Sequence, residues 1–239
     1  IRYNVGLLAF MSMVMAPRGR RGLLLLGSMA YALPTLAGPW GLSFSLLLLA
    51  AGTKTGFKLR RLLCKPWLLA LLLAARHPQR VQSLITVASS PRFVAEPGWP
   101  GTKPEVLTNF AAQLMSDSHK TVDRFLAIQA MGSPTARDDV RRLRERVLAR
   151  PEASPEALLL GLSLLGDLDL RSELQSLTRP ALHLFGRLDA LVPASVLDVW
   201  PSSRALQQTH LFMESSHAPF MTESNQFVRI VREFIEAQL

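Results

Sequence analysis

Asp189 in "LFGRLDALVP" and His217 in "ESSHAPF" are a carboxylate and an imidazole, each just beyond a short apolar run. Such a pair supports nucleophilic acyl transfer: imidazole titrates near neutrality and accepts a nucleophile's proton, while a carboxylate fixes its tautomer and stabilises the imidazolium. Plainer roles are open to both. His217 can be a loop-packing histidine, and Asp189 can cap a turn. What favours chemistry is that both follow the same plan in succession, strand then loop, in the order acid then base.

The elements that would position them read as follows. Ala181 to Phe185 form a short apolar strand that Gly186 ends, which puts Asp189 in the loop beyond, and "THLFMESSHAPF" repeats the arrangement up to His217. In open α/β sheets, reactive groups sit past the carboxyl ends of strands. Upstream, "WLLALLLAAR" (67–76) predicts a helix buried on most sides, and "VQSLITVASSP" alternates like a strand entering a loop. Helix followed by strand is the rhythm of an α/β fold. Pro91, Pro97, Gly98, Pro100 and Gly101 mark a loop, after which segments 104–116, 119–131, 135–149 and 155–165 predict four helices, an all-helical insertion. A last amphipathic helix, 223–238, carries Phe227, Ile230, Val231, Phe234 and Ile235 on one face.

At 239 residues the chain accommodates one sizeable core, and its single cysteine, Cys64, excludes an internal disulfide framework. That cysteine count agrees with a reducing compartment, so a cytoplasmic protein is expected. The formal charge of +9 is unevenly spread: residues 1–95 hold twelve Lys or Arg and no acid, whereas 96–239 hold all eighteen acids. A soluble chain of typical composition would place on the order of ten acids in the first stretch. A membrane or targeting segment, a basic arm, or an altered reading frame in the gene would each produce the bias.

"RGRRGLLLLGSMAYALPTLAGPWGLSFSLLLLAAG" offers a basic flank and two leucine runs, but Pro34, Gly38, Pro39 and Gly41 leave apolar runs shorter than the roughly 20 residues of a spanning helix. Buried strands of a parallel sheet also read as unbroken apolar runs, and the runs at 23–26 and 46–49 are expected to be strands. A membrane-tethered protein using residues 22–52 is the competing expectation.

From about Leu69 onward the motifs "HPQRVQSLITVASSP", "WPGTKPEVL", "TVDRFLAIQAMG", "TARDDVR", "LFGRLDALVP" and "HAPF" occur in an order and spacing that resemble the pimeloyl-[acyl-carrier protein] methyl ester esterases of biotin synthesis, a branch of the α/β-hydrolase superfamily. The resemblance covers about 170 of the 239 residues. It implies an α/β-hydrolase fold, a mostly parallel sheet with flanking helices, divided into a core segment 1–92, a helical cap 93–175 and a returning core segment 176–239. It further implies carboxylesterase activity on pimeloyl-carrier protein methyl ester in a monomer, with Asp189 and His217 as acid and base and no metal or organic cofactor. Neither nucleic acid nor membrane is an expected partner.

The family's nucleophilic serine lies thirteen positions before the histidine matched by His77, which lands on Cys64. Around it stand Leu62-Leu63-Cys64-Lys65-Pro66-Trp67, so Leu62 and Pro66 replace the elbow glycines. Small flanking residues let the backbone close a strained strand-to-helix turn, which leucine and proline oppose. A thiolate can serve as nucleophile beside a histidine; the plainer reading of Cys64 is a small buried apolar residue. The Lys65 N–H and Ser28, which stands where the family has its oxyanion segment, are the expected oxyanion positions. The acid-free stretch coincides with the lost motifs, which points to altered coding upstream of Trp67.

Residues 136–150 carry Arg137, Arg141, Arg142, Arg144, Arg146 and Arg150 against Asp138, Asp139 and Glu145. A charge run of this kind is commonly a solvated helix face. By the resemblance, Lys120, Arg124, Arg137 and Arg141 contact the acidic acyl-carrier protein, and Phe125, Leu126, Ala127, Ile128 and Gln129 line the acyl pocket. Phe125 is equally open to core packing. The alternative function is a catalytically impaired remnant that binds an acidic carrier protein without turnover.

Overall fold

The computed structural model describes residues 22–27, 66–147, 155–201 and 206–238. Among the described residues the sheet has four strands in chain order, β1 (Gly22–Gly27), β2 (Val81–Val87), β3 (Ala181–Gly186) and β4 (Gln207–Phe212). All neighbours pair in parallel, with Leu24 opposite Leu84, Leu84 opposite Ala181, and Ala181 opposite Gln207. The leucine run at 23–26 is thus a strand, as expected; the run at 46–49 lies outside the described residues. No helix among the described residues is long and apolar enough to cross a membrane.

The sheet is covered on both faces. Helix α1 (Pro66–Arg76) lies with Ala70, Leu71 and Ala74 in one core cluster, together with Leu84, Ala181, Phe185 and Trp200. On the other face Ile85, Val87, Leu182, Leu184 and Phe212 meet Phe227, Val231 and Phe234 of the last helix, α8 (Ser224–Glu236). Strand β3 distributes Ala181 and Phe185 to one cluster and Leu182 and Leu184 to the other, the period-2 division of a pleated strand. Strand β2 departs from the expected half-exposed alternation: Gln82 is its one half-buried residue and the rest are buried. Helices on both sides remove water from both faces of a parallel strand, so its sequence need not alternate in polarity.

Between β2 and β3 come α2 (Pro104–Ser116), α3 (Ser118–Ala130), α4 (Ala136–Val147), α5 (Pro155–Asp167) and the short α6 (Arg171–Gln175). Helix α3 begins one residue earlier than expected because the Asp117 side chain accepts the Lys120 N–H at 2.9 Å and so caps it. Gly132, at φ +87, turns the chain out of α3 toward α4. Arg144 on α4 grips Asp123 on α3 with two hydrogen bonds, one of them at 2.8 Å, and the guanidinium holds the Asp123 carboxyl below its usual range. The helical segment enters and leaves through one latch: Leu170 N–H donates to Pro91 O at 2.8 Å, Arg92 donates to the carbonyls of Gly166 and Leu168, and Arg171 bridges Glu96 and Asp169 over the Trp99 ring.

Beyond β4 the chain forms a four-residue helix, α7 (Pro219–Thr222), before α8. The sequence predicts a single helix over 223–238 and gives no sign of α7, since four residues carry no helical period.

Candidate active site

The carboxyl end of β3 builds the acid's loop. Arg187 N–H donates to Phe212 O and Leu188 N–H to Ser215 O, both at 2.9 Å, so the chain leaving β3 runs beside the chain leaving β4. Gly186 makes this approach possible: a Cβ there would lie 1.9 Å from Ser216 O and 2.6 Å from Ser215 O. Asp189 then turns inward. Its Oδ1 accepts the N–H groups of Leu191 at 2.8 Å and Val192 at 3.0 Å, which fixes the carboxylate in its own loop.

The other oxygen, Oδ2, accepts from His217 Nδ1 at 2.7 Å. The side chains are 1 % exposed for Asp189 and 6 % for His217, so little water competes for the bond. An ionised carboxylate can only accept, which assigns the Nδ1 proton to the ring and leaves Nε2 as the basic nitrogen. Among the described residues Nε2 has no hydrogen-bond partner. The histidine's loop is secured from several sides. Ser216 Oγ donates to Leu188 O at 3.3 Å, and Glu223 Oε2 accepts Ser215 Oγ at 2.5 Å and Glu214 N–H at 3.1 Å. From the helical segment, Gln129 O accepts the His217 N–H at 3.0 Å.

Of the residues singled out in the sequence, Asp189 and His217 are brought together. Cys64, Lys65 and Ser28 lie outside the described residues. Gln129 reaches the site through its carbonyl, and its side-chain Oε1 is buried without a partner. Phe125 packs edge-on against Phe110 of α2, centroids 5.4 Å apart, while Leu126 is buried and Ala127 and Ile128 are half-buried. Lys120, Arg124, Arg137 and Arg141 are all exposed; Arg124 donates to Gln113 at 2.9 Å and Arg141 pairs with Asp138 at 3.1 Å.

Two features escaped the sequence reading. The steric role of Gly186 depends on backbone that arrives only after β4, and no local pattern announces it. In the sequence Asp139 reads as one acid of a charged helix, yet it is buried. Its spacing from the exposed arginines, two positions from both Arg137 and Arg141, was the available signal, because residues two apart on a helix point to different sides.

A second histidine, His183 in β3, is fully enclosed. Its Nδ1 and Thr86 Oγ1 lie 2.8 Å apart, its ring tilts against Trp200, and burial pushes its pKa down to about 3. It is neutral at physiological pH and sits among the sheet's core residues.

A family profile described as the alpha/beta hydrolase fold matches residues 68–224. The chain is 52 % identical over 169 residues to the pimeloyl-[acyl-carrier protein] methyl ester esterase of Vibrio parahaemolyticus, covering 71 % of this chain and 66 % of that protein. It is 48 % identical over 168 residues to the enzyme of the same name from Aeromonas salmonicida, covering 70 % and 66 %. The matched region therefore spans just under two thirds of these relatives' own length. Among solved structures, an esterase from Exiguobacterium antarcticum superposes with a TM-score of 0.63 at 21 % identity over 71 % of this chain and 63 % of that one. An enol-lactonase from Burkholderia xenovorans gives 0.59 at 19 % identity over 72 % and 62 %.

Proposed function

Because the chain belongs to the α/β-hydrolase fold family, we propose that it is a carboxylesterase whose substrate is the methyl ester of a pimeloyl group carried on acyl-carrier protein. The observation that carries this reading is the buried 2.7 Å contact between Asp189 Oδ2 and His217 Nδ1 at the rim of a parallel sheet. In this reading residues 1–92 and 176–239 form the core and 93–175 the cap.

The chemistry follows from the proton's route. His217 Nε2 takes the proton of the nucleophile, which is the Cys64 thiol in this sequence, and the sulfur adds to the ester carbonyl. Asp189 keeps the ring in the required tautomer and stabilises the imidazolium. Backbone N–H groups, with Lys65 and Ser28 as the oxyanion positions the resemblance implies, hold the oxyanion. Collapse expels methanol, protonated by His217, and leaves an acyl group on sulfur. Water, deprotonated by the same nitrogen, then releases the free acid and the thiol. Phe125 to Gln129 line the acyl pocket, and Lys120, Arg124, Arg137 and Arg141 receive the acidic carrier.

Leu62 and Pro66, at the positions of the elbow glycines, favour a second reading: carrier binding retained, turnover lost. Hydrolysis of a short p-nitrophenyl ester separates the two. Catalysis predicts turnover that falls by about 10³-fold or more in His217→Ala and in Cys64→Ala, since triad members act as a unit. Turnover equal in both variants and the parent removes the triad; carrier binding without turnover in the parent establishes the second reading.

A further inference from the structure

Asp139 is a buried carboxylate that the proposed reaction does not use. At 2 % exposure, its Oδ2 accepts Thr135 Oγ1 at 2.6 Å, Thr222 Oγ1 at 3.1 Å and Ser133 Oγ at 3.4 Å. Thr135 and Ser133 belong to the turn that opens α4, whereas Thr222 closes α7, the helix that begins two residues after His217. One oxygen therefore joins the helical segment to the stretch that carries the histidine. The neighbouring Asp138 is exposed and pairs with Arg141, so the two adjacent carboxylates have separate tasks.

A carboxylate is a costly choice for mere filling. Desolvating it is unfavourable, neutral hydroxyls do not cancel its charge, and an apolar side chain of similar volume would pack without that penalty. What the carboxylate contributes is direction: three donors converge on one atom and fix α7 relative to the start of α4. The second tie, His217 N–H to Gln129 O, holds the histidine's own backbone to the end of α3 at 3.0 Å. With Asp189 anchored in its loop by Leu191 and Val192, the ring meets its partner only if the 217–222 segment stays in place. A shift of about 1 Å in a reacting group lowers rates on the order of 100-fold.

We infer that Asp139 is a positioning residue for His217, its buried carboxylate clamping α7 to the turn before α4 so that the imidazole keeps its contact with Asp189. The inference rests on the reading of His217 as the proton acceptor, and its test is read on the ring itself. Two-bond ¹H–¹⁵N correlation spectra of the labelled full chain report the tautomer of each histidine, with the His217 signals identified by their loss in His217→Gln. The parent is expected to show His217 as a single tautomer protonated at Nδ1. Thr222→Val, which removes one hydroxyl with little change of shape, and Asp139→Ala should both give a ring averaged between tautomers. Asp139→Asn, which keeps an accepting oxygen, should restore most of the parent signal.

If the parent turns over ester, kcat should fall about tenfold or more in Thr222→Val with KM within twofold. Absence of turnover in the parent overturns the esterase reading and leaves the spectroscopic test standing. An unchanged His217 tautomer in Thr222→Val, or a parent ring that already averages, overturns the positioning role. Should Asp139→Ala fail to fold, Thr222→Val decides alone.

Discussion

Whether Asp189 and His217 can meet turns on Gly186, a residue with no chemistry of its own. The three atoms a Cβ would strike, Ser216 O, Ser215 O and Ser216 C, are all backbone atoms of the histidine's loop, so none can swing aside as a side chain would. Gly186→Ala is predicted to lower stability by about 1–3 kcal/mol, as for an overpacked core, and, if the parent is the proposed esterase, to reduce its ester hydrolysis on the order of 100-fold by separating Asp189 from His217. Urea unfolding and the p-nitrophenyl ester assay check both; a variant with parental midpoint and rate would show that the loop accommodates the methyl group. Asp189 and His217 were legible in the sequence because each follows a short apolar run that reads as a strand. Gly186 was legible only as a strand terminator, and Asp139 only as one charge among many. Their roles rest on contacts with Ser215, Ser216 and Thr222, which lie far along the chain.

At the scale of elements, the helices between β2 and β3 were legible because Asp117, Gly132 and Pro155 mark breaks between them, and those residues act through backbone physics that is local. Helix–helix geometry was not legible. The bidentate Arg144–Asp123 pair ties α4 to α3, so the exposed cations of both helices are carried on one tied pair. If that unit receives an acidic carrier protein, the double reversal Arg137→Glu with Arg141→Glu should weaken binding about tenfold or more at low salt. The gap between parent and variant should narrow as salt screens the surface charges. Titration calorimetry at two ionic strengths measures this. Equal affinities at low salt would assign these arginines to solvent alone.

Across the whole molecule, legibility follows the chain. From Trp67 onward, motif order, apolar runs and turn residues agree on one fold, and the family profile matches from residue 68. Before it, the strand Gly22–Gly27 was readable as a leucine run, but the residues around Ser28 and Cys64, where an oxyanion segment and a nucleophile elbow are expected, carry no pattern from which a site can be built. The core that the legible part encloses holds His183, whose pKa of about 3 has a consequence for the entire fold. An unfolded chain protonates this imidazole near pH 6.5, whereas the native state keeps it neutral until about pH 3. In that window the unfolded state binds the extra proton, so stability is fully present above pH 6.5 and falls as pH drops toward 3. The slope from one such group is about 1.4 kcal/mol per pH unit, or roughly 2–3 kcal/mol between pH 6 and pH 4. His183→Gln removes the titrating group and should flatten the urea-unfolding free energy over this range by about that amount, whatever its effect at pH 8. A variant whose stability falls as steeply with acid as the parent's would place the acid sensitivity on the native carboxylate pairs instead, such as Asp169 with Arg171, whose hydrogen bond holds the Asp169 carboxyl below its usual range.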